Sequence, residues 1–252
     1  MVEDILRSGE RVMGDPWVDG WLTEFVSRLS VALGERLTFV GLHGSWARAE
    51  PREGSDIDVA VVIDRVDLQD LATFRTIVAE MPDAGRVASG IFRSVPELKA
   101  LHGFEPIPFF YGCRVLHGTV EGIIERPEPP DVREHIQVTA SASLFHARHY
   151  LLYPHDWSKA VHKLYYPFKQ CFYALQSWVL LCEGRFVPTK DGIIEQLTDA
   201  DDREVVRIAR DWHELQQDRE QQPLYYIELL ERWSRNMLLR LQVDPDNSAR
   251  ST

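Results

Sequence analysis

Hydrophobic positions in the first half of the chain switch repeatedly between helical and strand-like spacing. Apolar residues recur every four positions from Trp17 to Leu29, which predicts an amphipathic helix that begins after Asp15, with Pro16 as its first residue. Residues 57–63 are almost entirely apolar and β-branched, which is typical of a central strand covered on both faces. Further segments alternate in the same way: a helix over 68–81, a strand over 87–93, a helix over 94–101 and a strand over 109–116. This alternation predicts an α/β domain with a small mixed sheet over residues 1–126.

The second half of the chain has a different pattern. Residues 125–130, ERPEPP, are rich in proline and lack apolar periodicity, as expected for a linker. Beyond them the spacing is helical throughout, which predicts an α-helical bundle over residues 131–243 and hence an α+β chain. The predicted helices cover residues 131–152, 156–183, 190–197, 201–217 and 224–241. Pro167 should kink the second of these helices, and the polar tail 244–252 should be disordered.

Composition narrows the classes of function. The net charge of -11 argues against a long nucleic-acid interface, which normally requires a basic surface. The N-terminus is too polar for a signal peptide, and no apolar run approaches the length of a membrane span. The three cysteines are scattered and odd in number, so a disulfide framework is not expected. These features predict a cytoplasmic protein with reduced thiols that does not associate with membranes.

The candidate chemistry lies in residues 41–63, GLHGSWARAEPREGSDIDVAVVI. A turn at Gly44 and Ser45 follows a strand-like run and offers backbone N–H groups, which suit a phosphate. Asp56 and Asp58 lie two positions apart at the start of the next apolar run, so their side chains point the same way. Two carboxylates held side by side repel each other unless a cation lies between them. The pattern therefore predicts a site for a metal ion and a nucleoside triphosphate.

This stretch resembles the signature of the polymerase-beta-type nucleotidyltransferase superfamily. The wording GSWAR…SDID is closest to the small bacterial members, which include the minimal nucleotidyltransferases and the antibiotic-modifying enzymes. The resemblance implies that Asp56 and Asp58 are catalytic and bind Mg2+, with a two-metal site as one option. It also implies that Gly44 and Ser45 contact the triphosphate of an NTP, with ATP as the favoured nucleotide. Arg48, on the next helical turn, is a further candidate for nucleotide binding, with a solvated surface arginine as the alternative.

One part of the family pattern is missing. The family usually supplies a third carboxylate from a later strand, at a position near Ser89 here, and that strand contains no Asp or Glu. Asp83, Glu97 and Glu105 are the nearest acidic residues in sequence. Whether one of them completes the site or activity is lost is left open.

The helical half has a weaker resemblance. The run that begins LYYPFKQCFYALQSW is similar to the helical domains that follow small nucleotidyltransferase domains, of the HEPN and kanamycin-nucleotidyltransferase types. In related two-domain enzymes a lysine of the helical domain reaches the triphosphate across the cleft, which makes Lys163 a candidate for nucleotide binding. Tyr165 and Tyr166 are candidates for stacking on a base, although aromatic residues at helical spacing usually belong to a core.

The helical half contains two weaker motifs. Arg207 and His213 have the Arg-x5-His spacing of HEPN ribonucleases, but an apolar Ile208 follows the arginine. The group His146, His149 and His155 has a loose metal-like spacing and no acidic or cysteine partner that would complete a zinc set. Ordinary helix-surface residues are the simpler interpretation of both.

The leading hypothesis is a nucleotidyltransferase that transfers a nucleoside monophosphate, AMP in the favoured case, from a Mg-bound NTP to a hydroxyl of a small-molecule or protein acceptor. The alternative is a catalytically weakened nucleotide-binding or regulatory module of the toxin–antitoxin kind, and an RNA-cleaving protein is third. Acidic net charge favours a small polycationic acceptor over a polynucleotide. The sequence does not identify the acceptor. It leaves the oligomeric state open, with a homodimer as one option.

Overall fold

The computed structural model describes residues 15–86, 90–103, 105, 107–153 and 156–243. The chain divides into two compact units, with the division between Arg126 and Pro127. The predicted α+β class is confirmed, since a small mixed sheet in the first unit is followed by a helical second unit. The tail over 244–252, which was predicted to be disordered, lies outside the described residues.

The first unit alternates helices and strands. Its elements are α1 Pro16–Leu33, β1 Leu37–Leu42, α2 Gly44–Ala47, β2 Val59–Ile63, α3 Leu68–Glu80, β3 Gly90–Ser94, α4 Val95–Lys99, α5 Ile107–Tyr111 and β4 Arg114–Gly118. Helix α1 begins as predicted, because the Asp15 carboxylate accepts a hydrogen bond from the backbone N–H of Trp17 at 2.8 Å and Pro16 occupies the first position.

The sheet has the strand order β3-β2-β1-β4 within the described residues. Strand β1 is antiparallel to both β2 and β4, whereas β2 and β3 run parallel. In the antiparallel pair, Leu42 at the end of β1 lies opposite Val59 at the start of β2. The segments that follow β1 and precede β2 therefore meet at one edge of the sheet.

Strand β2 is buried over its whole length, as predicted for a central strand. Its alternate residues face two different cores because side chains on a strand point to opposite faces. Val59, Val61 and Ile63 pack with α1 and α3, whereas Ala60 and Val62 pack with α4 and α5. Coverage on both faces gives the edge that carries the candidate site a rigid support.

The second unit consists of helices packed around one hydrophobic core. Its elements are α6 Pro129–Leu152, α7 Trp157–Ala160, α8 Tyr165–Glu183, α9 Lys190–Gln196, α10 Ala200–Arg210, α11 Gln216–Gln221 and α12 Pro223–Gln242. Helix α6 packs against both α8 and α12. Helix α8 ends at Gly184 in the left-handed conformation, φ 66°, which glycine adopts without steric cost.

Two predicted helices are shorter than expected. Residues 156–183 form α7, a 3-10 turn over Val161–Leu164 and then α8, and not one kinked helix. Pro167 is the third residue of α8, where a backbone N–H has no partner within the helix, so the proline breaks no hydrogen bond. Residues 201–217 likewise divide, because α10 ends at Arg210 and α11 begins at Gln216.

The predicted strand over 109–116 is wrong in its first half. Residues 107–111 form helix α5, and β4 begins only at Arg114. The N–H of Gly112 bonds the carbonyl of Pro108 at 2.9 Å and so closes the helix. Aromatic residues favour strands locally, but here packing of Phe109 into the core beside Phe39 overrides that preference and selects the helix.

None of the helices in the described part of the chain combines the length and the apolar character that a membrane crossing requires.

Candidate functional site

The turn and the two aspartates predicted to act together lie at the same edge of the sheet. Strand β1 runs into the turn and β2 starts directly after Asp58, and the antiparallel register joins these two ends. The backbone N–H of His43 donates to the carbonyl oxygen of Asp58 at 2.8 Å, which extends the ladder by one bond. The structure thus brings together Gly44 and Asp58, which are 14 positions apart in sequence.

Gly44 lies directly against the side chain of Asp58. Its φ of +70° is in the left-handed region, and a Cβ at this position would overlap Oδ2 of Asp58 and lie 3.0 Å from its Cγ. Only glycine allows the backbone of the turn to approach a carboxylate this closely. The Gly44 N–H and the Ser45 N–H belong to the first turn of α2, where backbone donors have no partner within the helix.

The two aspartates differ in exposure. Asp56 is exposed and Asp58 is partly exposed, and both lie in the extended segment before β2. Within the described residues, no group of three or more His, Cys, Asp or Glu side chains is placed to hold a metal ion. Two carboxylates suit Mg2+, which keeps several water ligands and commonly uses one or two carboxylates together with phosphate oxygens. Because position 44 has no Cβ, the Asp58 carboxylate lies directly against the backbone of the turn.

Hydrogen bonds across the loop between α2 and β2 hold its two ends together. The indole N–H of Trp46 donates to the carbonyl of Ser55 at 3.3 Å. The hydroxyl oxygen of Ser55 accepts from the N–H of Arg52 at 2.7 Å, and the N–H of Ser55 donates to the carbonyl of Arg52 at 2.9 Å. Ser55, which was part of the sequence signature, therefore shapes the approach of the chain to Asp56.

Arg48 forms an ion pair with Glu50, a residue that sequence reasoning missed. Nε of Arg48 lies 3.4 Å from Oε2 of Glu50, and the two side chains are only 12% and 19% exposed. The intervening Ala49 has a φ of +58°. An acid two positions after an arginine carries no sequence signal of its own, because their contact depends on the left-handed residue between them.

His43 was also missed. Its ring packs against Phe109, with the ring centroids 5.5 Å apart. Burial, reinforced by the positive charge of Arg48, lowers the pKa of His43 to about 4, so the imidazole is neutral near pH 7. Its Nε2 is buried and has no hydrogen-bond partner among the described residues.

The three alternatives for a third carboxylate differ in their surroundings. Glu97 accepts hydrogen bonds from the N–H and hydroxyl of Ser94 at 2.6 and 2.8 Å, which lower its pKa and cap α4. Ser94 pairs with Ile63, at the end of β2 remote from Asp58, roughly 16 Å along the strand. Glu105 accepts from the N–H of His102 at 2.8 Å, and Asp83 lies in the turn after α3. Ser89, near which the family places its acid, lies outside the described residues.

The candidates in the helical unit occupy separate settings. Lys163 is exposed in the 3-10 turn that precedes α8, and Tyr166 is 65% exposed. Tyr165 packs near Trp212, with ring centroids 5.5 Å apart. Nδ1 of His146 forms a hydrogen bond of 2.8 Å with the carbonyl oxygen of Ala142. His155 lies outside the described residues.

The ribonuclease-like pair does not form a motif on one helix. Arg207 lies on α10 and donates to both carboxylate oxygens of Glu204 at 2.8 and 2.6 Å. Helix α10 ends at Arg210, so His213 lies beyond it in a turn.

Comparisons with known proteins add little to this geometry. No family model matches the chain, and no curated protein matches it in sequence. Among solved structures, the chain is similar to a spectinomycin adenyltransferase from Enterococcus faecialis, determined with ATP and spectinomycin. The match covers 84% of this chain and 99% of the other at 12% sequence identity, with a TM-score of 0.49. At this distance the likeness does not assign an activity.

Proposed function

We propose that this protein is a nucleotidyltransferase that transfers a nucleoside monophosphate from a Mg-bound NTP, ATP in the first instance, to a hydroxyl group of an acceptor. The observation that carries the proposal is the contact of Gly44 with Asp58. The contact brings backbone N–H groups and a carboxylate to the same end of the sheet, and these are the groups that a phosphate and a metal ion would require. The sequence signature GSWAR…SDID supports the same assignment.

The roles of the turn follow from its backbone. The N–H groups of Gly44 and Ser45 at the start of α2 are donors for the β- and γ-phosphates, because phosphate oxygens accept well from the first turn of a helix. A triphosphate beside Asp58 would bring further negative charge next to a carboxylate, and a divalent cation between them would offset that repulsion. Binding of nucleotide should therefore depend on divalent metal.

Asp56 and Asp58 would hold the magnesium ion. When bound, Mg2+ would supply neutralisation of the phosphate charge. The acceptor hydroxyl would then form a bond to the α-phosphorus and lose its proton to solvent, as the bond to pyrophosphate breaks. Both carboxylates would contribute ligand oxygens. The position of Asp58 is fixed relative to the turn, because its carbonyl oxygen accepts from the His43 N–H. Lys163, proposed from the family resemblance alone, would add a positive charge to the triphosphate.

The net charge of the chain indicates the chemical class of the acceptor. A chain with a net charge of -11 attracts cations and repels polyanions, so we favour a small polycationic hydroxyl compound, such as an aminoglycoside, over a nucleic acid. A hydroxyl on a protein is the second acceptor class.

The test is a transfer assay with each of the four Mg-NTPs and panels of polycationic small molecules and proteins. Pyrophosphate release that depends on an acceptor, with the α-phosphate recovered on that acceptor, is the expected result. Asp56→Ala and Asp58→Ala should each abolish it. Turnover that persists in both variants would reject the proposal.

A second candidate function rests on the missing third acid. Because the described residues contain no metal-binding group of three, a module that binds nucleotide without transferring it is the alternative. Tight Mg-ATP binding without turnover across both acceptor panels would favour this candidate.

A further inference from the structure

We infer that the ion pair between Arg48 and Glu50 positions the phosphate-binding turn, and that Arg48 acts through this pair and not by touching the nucleotide. The inference rests on the proposed function, because it assigns roles within the same site. It replaces the expectation that Arg48 binds the nucleotide directly.

Helix α2 is too short to hold its own shape. It has four residues, and its closing backbone bonds are long: Ala47 N–H to the His43 carbonyl is 3.4 Å and Arg48 N–H to the Gly44 carbonyl is 3.3 Å. The His43 side chain forms no capping bond. A single weakly bonded turn is not stable by itself, so contacts from outside the helix must fix the directions of its N–H groups.

Glu50 supplies such a contact. Its backbone N–H donates to the carbonyl of Ser45 at 2.9 Å, the shortest of the bonds that close this turn. That bond is reached only because Ala49 takes a left-handed φ of +58° and folds the chain back. The same turn at Ala49 brings the carboxylate of Glu50 to 3.4 Å from Nε of Arg48. The backbone of Glu50 thus bonds Ser45 within α2, and its side chain bonds Arg48 directly after the helix.

The exposure of the pair distinguishes positioning from direct binding. A guanidinium that grips a triphosphate in solution must present its N–H groups to the ligand, but the Arg48 side chain is only 12% exposed and its Nε points to Glu50. Arg48 therefore faces the protein, and its partner Glu50 carries the charge that keeps it there.

Swapping the charges of Arg48 and Glu50 distinguishes positioning of the turn from direct contact with the nucleotide. We would compare Glu50→Gln, Arg48→Glu and the double variant Arg48→Glu/Glu50→Arg in the full chain, with Glu53→Gln as the matched control on an exposed acid of the same loop. Amide hydrogen exchange over residues 43–50, the Kd for Mg-ATP, and kcat against KM are measured for each.

The expected result is faster exchange over residues 43–50 and a Kd raised about tenfold in each single variant, because displacing a positioned donor weakens every phosphate contact. The double variant should recover most of both effects, and Glu53→Gln should match the native chain. Normal exchange and Kd in Glu50→Gln would overturn the inference. So would a double variant that regains slow exchange but not nucleotide binding, since Arg48 would then contact the nucleotide.

Failure of the proposed function has a different signature. If the native chain binds no Mg-ATP, the assigned function fails, whereas the exchange measurement still shows whether the pair orders the turn. Slow exchange that is unaffected by all three variants would overturn the positioning role in that case too.

Discussion

The backbone of Gly44 contacts the carboxylate of Asp58 so closely that position 44 has no room for a Cβ atom. Gly44→Ala should therefore act twice. The left-handed φ of +70° makes the variant less stable by about 1–2 kcal/mol. Displacement of Asp58 should raise the Kd for Mg-ATP by about tenfold or more. Thermal unfolding and a nucleotide titration measure the two effects.

Gly54 provides the matched control for that variant. It lies in the loop between α2 and β2 with a φ of +77°, but nothing lies within 4 Å of the position of its Cβ. Gly54→Ala should lose similar stability and retain native nucleotide affinity. Equal losses of affinity in both variants would show that loop strain, and not the contact with Asp58, controls binding.

Lys163 offers a test of the contribution of the helical unit. Lys163→Ala should raise the Kd for Mg-ATP roughly tenfold if it contacts phosphate, and added salt should reduce the difference between the native chain and the variant. Lys159→Ala is the control, since Lys159 is 84% exposed and pairs with Asp156 in the same segment. Equal affinities for the Lys163 variant and the native chain would remove Lys163 from the site.

Asp202 is predicted to be the acid on which the stability of the helical unit depends most. Its side chain is 3% exposed and accepts two hydrogen bonds of 2.6 Å from Arg240 and one of 2.8 Å from the Trp233 indole. Asp202→Asn removes the buried negative charge that accepts from the partly exposed Arg240 guanidinium, and should lower the free energy of unfolding by about 2–3 kcal/mol. Denaturant titration measures the change.

The neighbouring Asp201 supplies the comparison. It forms a similar two-bond pair with Arg232, but that pair is 25% and 45% exposed. Asp201→Asn should cost no more than about 1 kcal/mol. Similar costs for the two substitutions would mean that burial does not set the strength of these pairs.

His135 should make stability depend on pH. Burial lowers its pKa to about 4 from the usual 6.5, and its Nδ1 lies 2.8 Å from the hydroxyl of Ser177. As the pH falls, His135 takes up a proton in the unfolded chain near pH 6.5, but in the folded protein only near pH 4. The free energy of unfolding is therefore unaffected by His135 above pH 6.5 and decreases as the pH falls from 6.5 toward 4. The loss is about 1.4 kcal/mol per pH unit.

Replacing this residue should flatten the pH profile. His135→Gln should reduce the slope of unfolding free energy between pH 6.5 and 4 relative to the native chain, with the remaining slope including His43, whose pKa is also lowered to about 4. His146→Gln, on the exposed face of α6, should leave the slope unchanged. An unchanged slope in His135→Gln would show that this histidine is not buried as described.

The parts of the fold that sequence predicted best were those with strong local signals. Asp15 and Pro16 marked the start of α1, and the apolar run before Ile63 marked the central strand. Both signals come from residues adjacent in the chain. The prediction of a strand over 109–116 was wrong in its first half. There, packing against Phe39, which is distant in sequence, makes an aromatic segment helical.

The candidate site was predictable as a set of residue types but not as a geometry. Spacing indicated that Gly44 and Asp58 belong together, yet the glycine requirement arises from a backbone-to-carboxylate contact that only the strand register creates. The pairing of Arg48 with Glu50 depends in the same way on the φ of Ala49.

The central claim is that Gly44 and Asp58 form one metal-dependent nucleotide site. The most direct measurement is a calorimetric titration of a non-hydrolysable ATP analogue into the native chain and Asp58→Asn, each with Mg2+ and with a chelator. The native chain should bind only with Mg2+, and Asp58→Asn should bind weakly and equally in both conditions. Native binding that is unaffected by the chelator, or full Mg-dependent binding by Asp58→Asn, would contradict the claim.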